Sequence, residues 1–315
     1  MMLTEFAQSV NEGLSKKKKH LPSRYFYNAE GDKLFQQIMQ MPEYYPTRCE
    51  FSIFEKQKDQ ILKAINHPQG FDLVELGAGD GYKTKILLKH FLAQKVDFAY
   101  YPVDISADVL RELKADLKDQ FPQLPVKTLH YEYFTAIQEM NNLGQRPKVI
   151  LFLGGNIGNF TAQRARSFFR RLEAIMKPGD QLLCGIDLKK NPRTILKAYD
   201  DAQGITARFN LNVLKRINEE LGGHFDLDQF QHYPNYNPVN GECRSYLISK
   251  QAQAVKVDYL DKTFQFDAAE PIHTEISKKY SLREIEALAK KAGFRAQKHF
   301  TDAKDYFVDS LWLKE

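Results

Sequence analysis

The sequence predicts an α/β fold, a doubly wound and mostly parallel sheet with a second, α+β domain. From about residue 71 to residue 188, β-prone apolar runs alternate with helical stretches at the spacing of βαβ units. The first strand, Asp72-Leu73-Val74-Glu75-Leu76, enters a turn with glycines at Gly77, Gly79 and Gly81, and a helix bearing Ile86, Leu87 and Phe91 follows. Between residues 191 and 279 the alternation stops, and one helix and two strands then complete the pattern. An insertion of that kind builds a lid or substrate domain, because ligands of open α/β sheets bind at the C-terminal ends of the strands.

Taken in order, residues 1 to about 66 read as mostly helical. They end in Met41-Pro42-Glu43-Tyr44-Tyr45-Pro46-Thr47-Arg48, where two prolines predict an extended turn and two tyrosines offer either core plugs or phenol hydroxyls for a ligand. A second strand spans 99–106 and ends in the acid Asp104, with a helix from about Ala107 to Gln120. A third strand is expected from Lys127 to Tyr133 and a fourth from Pro147 to Gly154. The loop Gly154-Gly155-Asn156-Ile157-Gly158-Asn159-Phe160 follows, then a helix and a fifth strand from Gln181 to Leu188. In the insertion, helices are expected around 195–202 and 211–221, and antiparallel strands at 244–249 and 254–260. Ser281-Leu282-Arg283-Glu284 is a capping-box start for a helix that ends at Ala292-Gly293, with strands at 294–300 and 306–314 after it. The expected division is 61–190 plus 280–315 for the sheet domain and 1–60 plus 191–279 for the other.

At 43% hydrophobic and 27% charged residues the chain reads as a soluble globular protein. It has no apolar run long enough to span a bilayer and no apolar core of a signal peptide, so a cytoplasmic protein with no membrane partner is expected. Cys49, Cys184 and Cys243 are too far apart for a paired metal or disulfide motif, and the eight histidines do not cluster, so no metal is expected. Lys16-Lys17-Lys18-Lys19 contributes to the net charge of +5. Without interleaved aromatics it reads as a solvated helix end rather than a nucleic-acid patch, and no nucleic-acid partner is expected. No heptad repeat appears, and a monomer is expected.

The glycine turn suggests a nucleotide cradle at a helix N-terminus. Dinucleotide enzymes favour Gly-x-Gly-x-x-Gly, whereas here Glu75 precedes Gly77-x-Gly79-x-Gly81. That spacing resembles the first motif of class I S-adenosylmethionine-dependent methyltransferases. Asp104 suits it, since a strand-end carboxylate accepts both hydroxyls of a ribose; the alternative is an ordinary cap of the next helix. Glu132-Tyr133 falls where that class holds adenine. The loop after the fourth strand lacks the Asn/Asp-Pro-Pro-Tyr signature of base and glutamine methylation.

The resemblance extends over nearly the whole chain from about Tyr25. It rests on Phe26-Tyr27-Asn28-Ala29-Glu30-Gly31, Pro42-Glu43-Tyr44-Tyr45-Pro46-Thr47-Arg48, Glu75-Leu76-Gly77 with Lys83-Thr84, and Ile157-Gly158-Asn159. Ala198-Tyr199-Asp200-Asp201, Phe209-Asn210-Leu211-Asn212-Val213-Leu214 and Thr274-Glu275-Ile276-Ser277-Lys278 complete it. In these stretches the sequence is similar to the histidine Nα-methyltransferases of ergothioneine biosynthesis. The resemblance implies a class I, Rossmann-like fold, S-adenosylmethionine as methyl donor, free L-histidine as substrate and repeated methylation to the Nα-trimethyl product. By position, Gly77, Gly79, Lys83, Asp104, Glu132 and Tyr133 would hold the cofactor. Asn159 and Tyr199 would bind the amino-acid head of the substrate, and Tyr44, Glu275 and Ser277 its imidazole. Tyr27 and Phe35 would pack around the site.

The residue types suit that chemistry. Glu275 and Ser277 share one face of an extended segment, about 7 Å apart, and a carboxylate with a hydroxyl satisfies a ring that has one N–H and one acceptor nitrogen. Methyl transfer at a sulfonium carbon needs a nitrogen lone pair and neither metal nor covalent enzyme intermediate. The motifs name no general base, and Tyr44 or a water is the candidate acceptor for the proton. Two positions depart from the family pattern: Gly155-Asn156 stands where histidine-specific members carry Ser-Thr before Ile-Gly-Asn, and near Ser245 those members have a methionine that lines the substrate pocket. Both bear on which amino acid is accepted, while Glu275 favours imidazole over an apolar ring. The alternatives are a relative acting on another amino acid or a histidine-derived metabolite, and a cofactor-binding regulator without catalysis.

Overall fold

A computed structural model describes residues 4–143 and 146–315. In chain order the elements are α1 (Glu5–Leu14), α2 (Ala29–Gln40), α3 (Tyr45–Ile65), β1 (Phe71–Leu76), α4 (Thr84–Ala93), β2 (Phe98–Asp104), α5 (Ala107–Gln120), β3 (Leu129–His130), α6 (Tyr133–Leu143), β4 (Lys148–Phe152), α7 (Ala162–Ile175) and β5 (Gln181–Asp187). After them come α8 (Pro192–Lys197), α9 (Ile205–Leu221), β6 (Phe230–Asn237), β7 (Glu242–Ser249), β8 (Gln253–Val257), β9 (Lys262–Phe266), β10 (Pro271–Lys278), α10 (Leu282–Ala292), β11 (Phe294–Thr301) and β12 (Phe307–Lys314). The chain divides into two compact units. One is Pro46–Lys189 with Lys279–Glu315; the other is the chain up to Tyr45 with Lys190–Lys278.

The first unit is the Rossmann-like one. Its seven-stranded sheet has the order β11-β12-β5-β4-β1-β2-β3. The strands from β3 to β5 are parallel, and β12 runs antiparallel to both of its neighbours. Central strands of such a sheet are covered on both faces, so β1 is buried at every position and reads as a continuous apolar run broken only by Asp72 and Glu75. Val74, Ile150 and Leu182 face a core with Phe169 of α7 and Ile285 of α10. Leu73, Val149 and Leu183 face the opposite core, with Phe54 of α3 and Phe91 of α4. The direction of the connections switches between β1 and β4, which places the ligand crevice at their C-terminal ends.

The second unit has a three-stranded sheet in the order β10-β7-β6 and the separate pair β8-β9. Its core gathers Phe209, Val213, Leu214 and Ile217 of α9, Ala7 and Val10 of α1, and Leu247 and Ile272 from the sheet. Two motifs of the sequence bind each other here. The buried Asn212 amide donates to the Phe26 carbonyl at 2.8 Å and to Asn28 Oδ1 at 2.9 Å, and Asn28 also caps α2 through the Gly31 N–H at 2.9 Å.

Four expectations change. The boundary at residue 60 moves to residue 45, because α3 buries Ile53, Phe54 and Ile61 in the core of the Rossmann-like unit. Pro46 lies in the first turn of α3 rather than in an extended turn; there its missing N–H has no intrahelical partner to lose. The third strand shrinks to Leu129–His130, and Tyr133 opens α6 instead of ending a strand. Strands β6 and β9 are additions. β6 contains Pro234 and polar residues and reads as a loop, but it pairs only with β7 and so, as an edge strand, tolerates a proline.

The three cysteines are thiols rather than disulfide partners, with Cys184 and Cys243 buried. In the lysine run Lys19 is committed to the fold, ion-paired to Glu270 at 2.5 Å. Among the described residues no helix is long and apolar enough to cross a membrane.

Candidate functional site

In the Rossmann-like unit the turn after β1 has positive φ at Gly77 and Gly79, 73° and 54°. A side chain at Gly77 would meet the Tyr133 hydroxyl at 3.0 Å, whereas one at Gly79 would meet nothing within 4 Å. The turn is thus closed on the Tyr133 side and open above Gly79. The Gly77 and Ala78 N–H groups donate to the Val103 carbonyl at 2.8 and 3.1 Å, which ties the turn to the end of β2. There Asp104 accepts from the Ser106 N–H at 3.0 Å and the Gly79 N–H at 3.3 Å, so each oxygen keeps a lone pair for a ligand. Burial, with help from the Asp104 carboxylate, pushes the Tyr133 phenol up to about 12 and keeps it a neutral donor. Its ring packs on Phe152 and Phe168, while the neighbouring Glu132 is exposed.

Glu75 lies beneath the turn. Its carboxylate accepts from the Thr84 hydroxyl at 2.6 Å and from the Tyr100 hydroxyl. Burial raises its pKa from 4.5 to about 7, against the pull of those two hydroxyls and Lys83. The folded protein therefore keeps a proton that the unfolded chain releases between these values. The stability Glu75 contributes is largest below pH 4.5 and is lost as pH rises to about 7. In denaturant titrations the Glu75→Gln protein should lose about 3 kcal/mol less stability than the wild type across that window. An unchanged pH slope would sink the assignment.

Lys83, at the start of α4, pairs with Glu50 of α3, and Glu50 also accepts from the Gly154 N–H at 2.8 and 3.1 Å. Gly154 opens the loop after β4, where Asn159 is exposed at the end of a short 3-10 turn. Sequence reasoning missed Glu50. Its sole sequence signal is its place two residues after Arg48, at the edge of a motif that was already quoted.

The α+β unit gathers the other candidates. Tyr199 donates its hydroxyl to Ser277 at 2.7 Å, and the buried His232 holds the Tyr199 carbonyl at 2.9 Å. Ser245 lies opposite Glu275 in the β7–β10 pairing and donates to its carboxylate at 3.2 Å. Ser245 is thus a polar anchor for Glu275. A bulge between His273 and Glu275 shifts the register, and Thr274 turns into the core to bond Asn210 at 2.8 Å and the Ser245 carbonyl at 3.1 Å. Tyr44 stands edge-on to Phe35, which packs with Tyr27 and Phe209. Of the expected substrate residues, Tyr44, Tyr199, Glu275 and Ser277 belong to this unit and Asn159 to the other.

The open glycine turn and the lone pairs of Asp104 fit S-adenosylmethionine. Among the described residues no group of three His, Cys, Asp or Glu side chains is placed to hold a metal. Comparison with known proteins agrees on the donor. Residues 6–314 match the family described as histidine-specific methyltransferase, SAM-dependent. The chain is 36% identical over 308 residues to a histidine N-alpha-methyltransferase of Mycolicibacterium smegmatis, covering 98% of this chain and 94% of that one. It is 35% identical to the enzyme of the same name from Mycobacterium tuberculosis, with the same coverage. It is also 29% identical to ergothioneine biosynthesis protein 1 of Schizosaccharomyces pombe, over 95% of this chain and 39% of that one. The chain belongs to the family of S-adenosylmethionine-dependent, histidine-specific N-methyltransferases.

Proposed function

We propose that the protein methylates the α-nitrogen of free L-histidine, in successive transfers that end at Nα,Nα,Nα-trimethylhistidine. The observation that carries this reading is the Glu275–Ser245 pair, a half-buried carboxylate oriented by a hydroxyl on neighbouring strands. Such a pair suits an imidazole N–H, whereas an apolar ring offers the carboxylate no donor. The names of the two mycobacterial relatives support the same substrate.

When bound, S-adenosylmethionine supplies an electrophilic methyl group on a sulfonium. In this reading the Gly77–Gly79 turn receives its amino-acid end beside Lys83, Asp104 takes the ribose hydroxyls, and Glu132 and Tyr133 flank the adenine. Tyr44, Glu275 and Ser277 hold the imidazole, and Tyr199 and Asn159 hold the amino-acid head. The α-amino group, with a pKa of about 8, is partly neutral at physiological pH; fixing it in line for attack supplies much of the rate without a strong base.

Purified protein incubated with S-adenosylmethionine and a panel of free amino acids, followed by mass spectrometry, tests the reading. Histidine should gain up to three methyl groups, and tryptophan, tyrosine and histamine none. Methylation of another amino acid in preference to histidine would overturn the substrate, and methylation of the ring would overturn the choice of nitrogen.

A further inference from the structure

Glu50 and Asp309 are both fully buried, and they share one neighbouring cation, Lys83. Glu50 has two donors: the Lys83 ammonium and the Gly154 N–H, which is shared between both oxygens. Neither Asp309 oxygen accepts a hydrogen bond from a donor among the described residues, and the neighbour within its reach is the Glu50 carboxylate. One ammonium does not neutralise two buried carboxylates, and an unpaired buried charge costs several kcal/mol. Burial first, and then the Glu50 carboxylate, push the Asp309 acid well above the usual carboxylate range. Asp309 is thus the buried acid pushed toward its neutral form.

The backbone makes room for this arrangement. Asp309 of β12 lies opposite Gly185 of β5, and any side chain at Gly185 would collide with Glu50 Oε1. The cluster leads directly to the ligand-binding end of the sheet. A Cβ at Gly154 would lie 3.7 Å from Lys83 Nζ, so the ammonium stands beside the loop after β4 as well as at the start of α4. A lysine on a flexible stem is a mobile point charge unless something orients it.

We infer that Glu50 is a positioning residue for methyl-donor binding: its carboxylate fixes the Lys83 ammonium and the Gly154 N–H, joining α3, α4 and the loop after β4 at the cofactor end of the sheet. The inference rests on reading this end of the sheet as the S-adenosylmethionine site. Lys83 spends one N–H on Glu50 and keeps two for the carboxylate of the cofactor. Without Glu50 the ammonium loses its anchor, and binding must then supply the ordering.

The test titrates S-adenosylhomocysteine and S-adenosylmethionine into full-length variants by calorimetry, with circular dichroism and Tm recorded for each. Glu50→Gln, which keeps an acceptor for Gly154, should raise the cofactor Kd about tenfold with an unchanged spectrum, a loss of the size expected for one charge-assisted contact. Added to Lys83→Met it should cause no further loss, since the two act as one unit. Wild-type cofactor affinity in Glu50→Gln, or full additivity with Lys83→Met, would overturn the inference, even with a lowered Tm. If Glu50→Gln does not fold, Glu50→Asp carries the test: a Kd between those of the wild type and Lys83→Met supports positioning, and wild-type affinity overturns it. Asp104→Ala separates the two levels, because unchanged cofactor binding there would defeat the underlying site reading rather than the role of Glu50.

Discussion

Asp104→Ala is expected to raise the Kd for S-adenosylmethionine about 100-fold, the equivalent of about 3 kcal/mol. Two effects add. In the proposed site the variant removes the carboxylate lone pairs offered to the ribose, and hydrogen bonds to a charged acceptor contribute about 1.5–3 kcal/mol each. It also frees the N–H groups of Gly79 and Ser106, which the carboxylate holds at 3.3 and 3.0 Å, so the glycine turn loses its link to the end of β2. Asp104→Asn keeps the shape and loses the charge, and about tenfold weakening is expected. Calorimetric titration checks both variants; a change below about threefold in Asp104→Ala would remove Asp104 from the cofactor site.

The second large effect is expected at Glu275. Glu275→Ala should raise KM for histidine about 100-fold and leave the Kd of the methyl donor unchanged. In the proposed site the imidazole loses a charged acceptor, and Ser245, buried to 1% exposure, loses the carboxylate it donates to. Ser245→Ala should be milder, about fivefold in histidine KM, because the carboxylate remains but its orientation loosens. Steady-state kinetics with each substrate varied in turn decides the matter. Equal losses for histidine and the methyl donor in Glu275→Ala would place Glu275 outside the imidazole pocket.

The parts of the fold that were legible in the sequence are those where local chemistry and burial agree. β1, with its glycine turn, is continuous and apolar because the sheet covers both faces. α5 begins at Ala107 after Ser106, whose hydroxyl accepts from the Val109 N–H, and α10 has the capping box written in Ser281 and Glu284. The misreadings arise where tertiary contacts override the local pattern. α3 continues through Pro46 because a first helical turn has no N–H to give up, and it joins the Rossmann-like unit because Ile53, Phe54 and Ile61 find their core there. β6 forms despite Pro234 because β7 supplies the ladder on its one paired side. Tyr133 reads as a strand end, but it opens α6 and directs its hydroxyl toward Gly77.

At the candidate site the same division holds. Motif spacing singled out Gly77 and Asp104, because glycines and an acid at strand ends leave a local signature, while Tyr199, Glu275 and Ser277 came from the resemblance to the family. Spacing says nothing about partners distant in the chain. Ser245 and Glu275 are 30 positions apart and meet only through strand register. Glu50 and Gly154 are 104 apart and meet only because α3 packs on the sheet beside β5.

By itself the sequence determined the fold class and, through its resemblance, the methyl donor and the family, since each is carried by stretches that are contiguous in the chain, among them a glycine turn and a strand-end acid. The tertiary structure decided which side chains hold those groups in place. It set the bulge that turns Thr274 inward, gave Glu275 its Ser245 partner and buried Glu50 against Lys83. The reason is physical: a buried charge persists only with its partner supplied, and that partner is brought by packing and not by position in the chain.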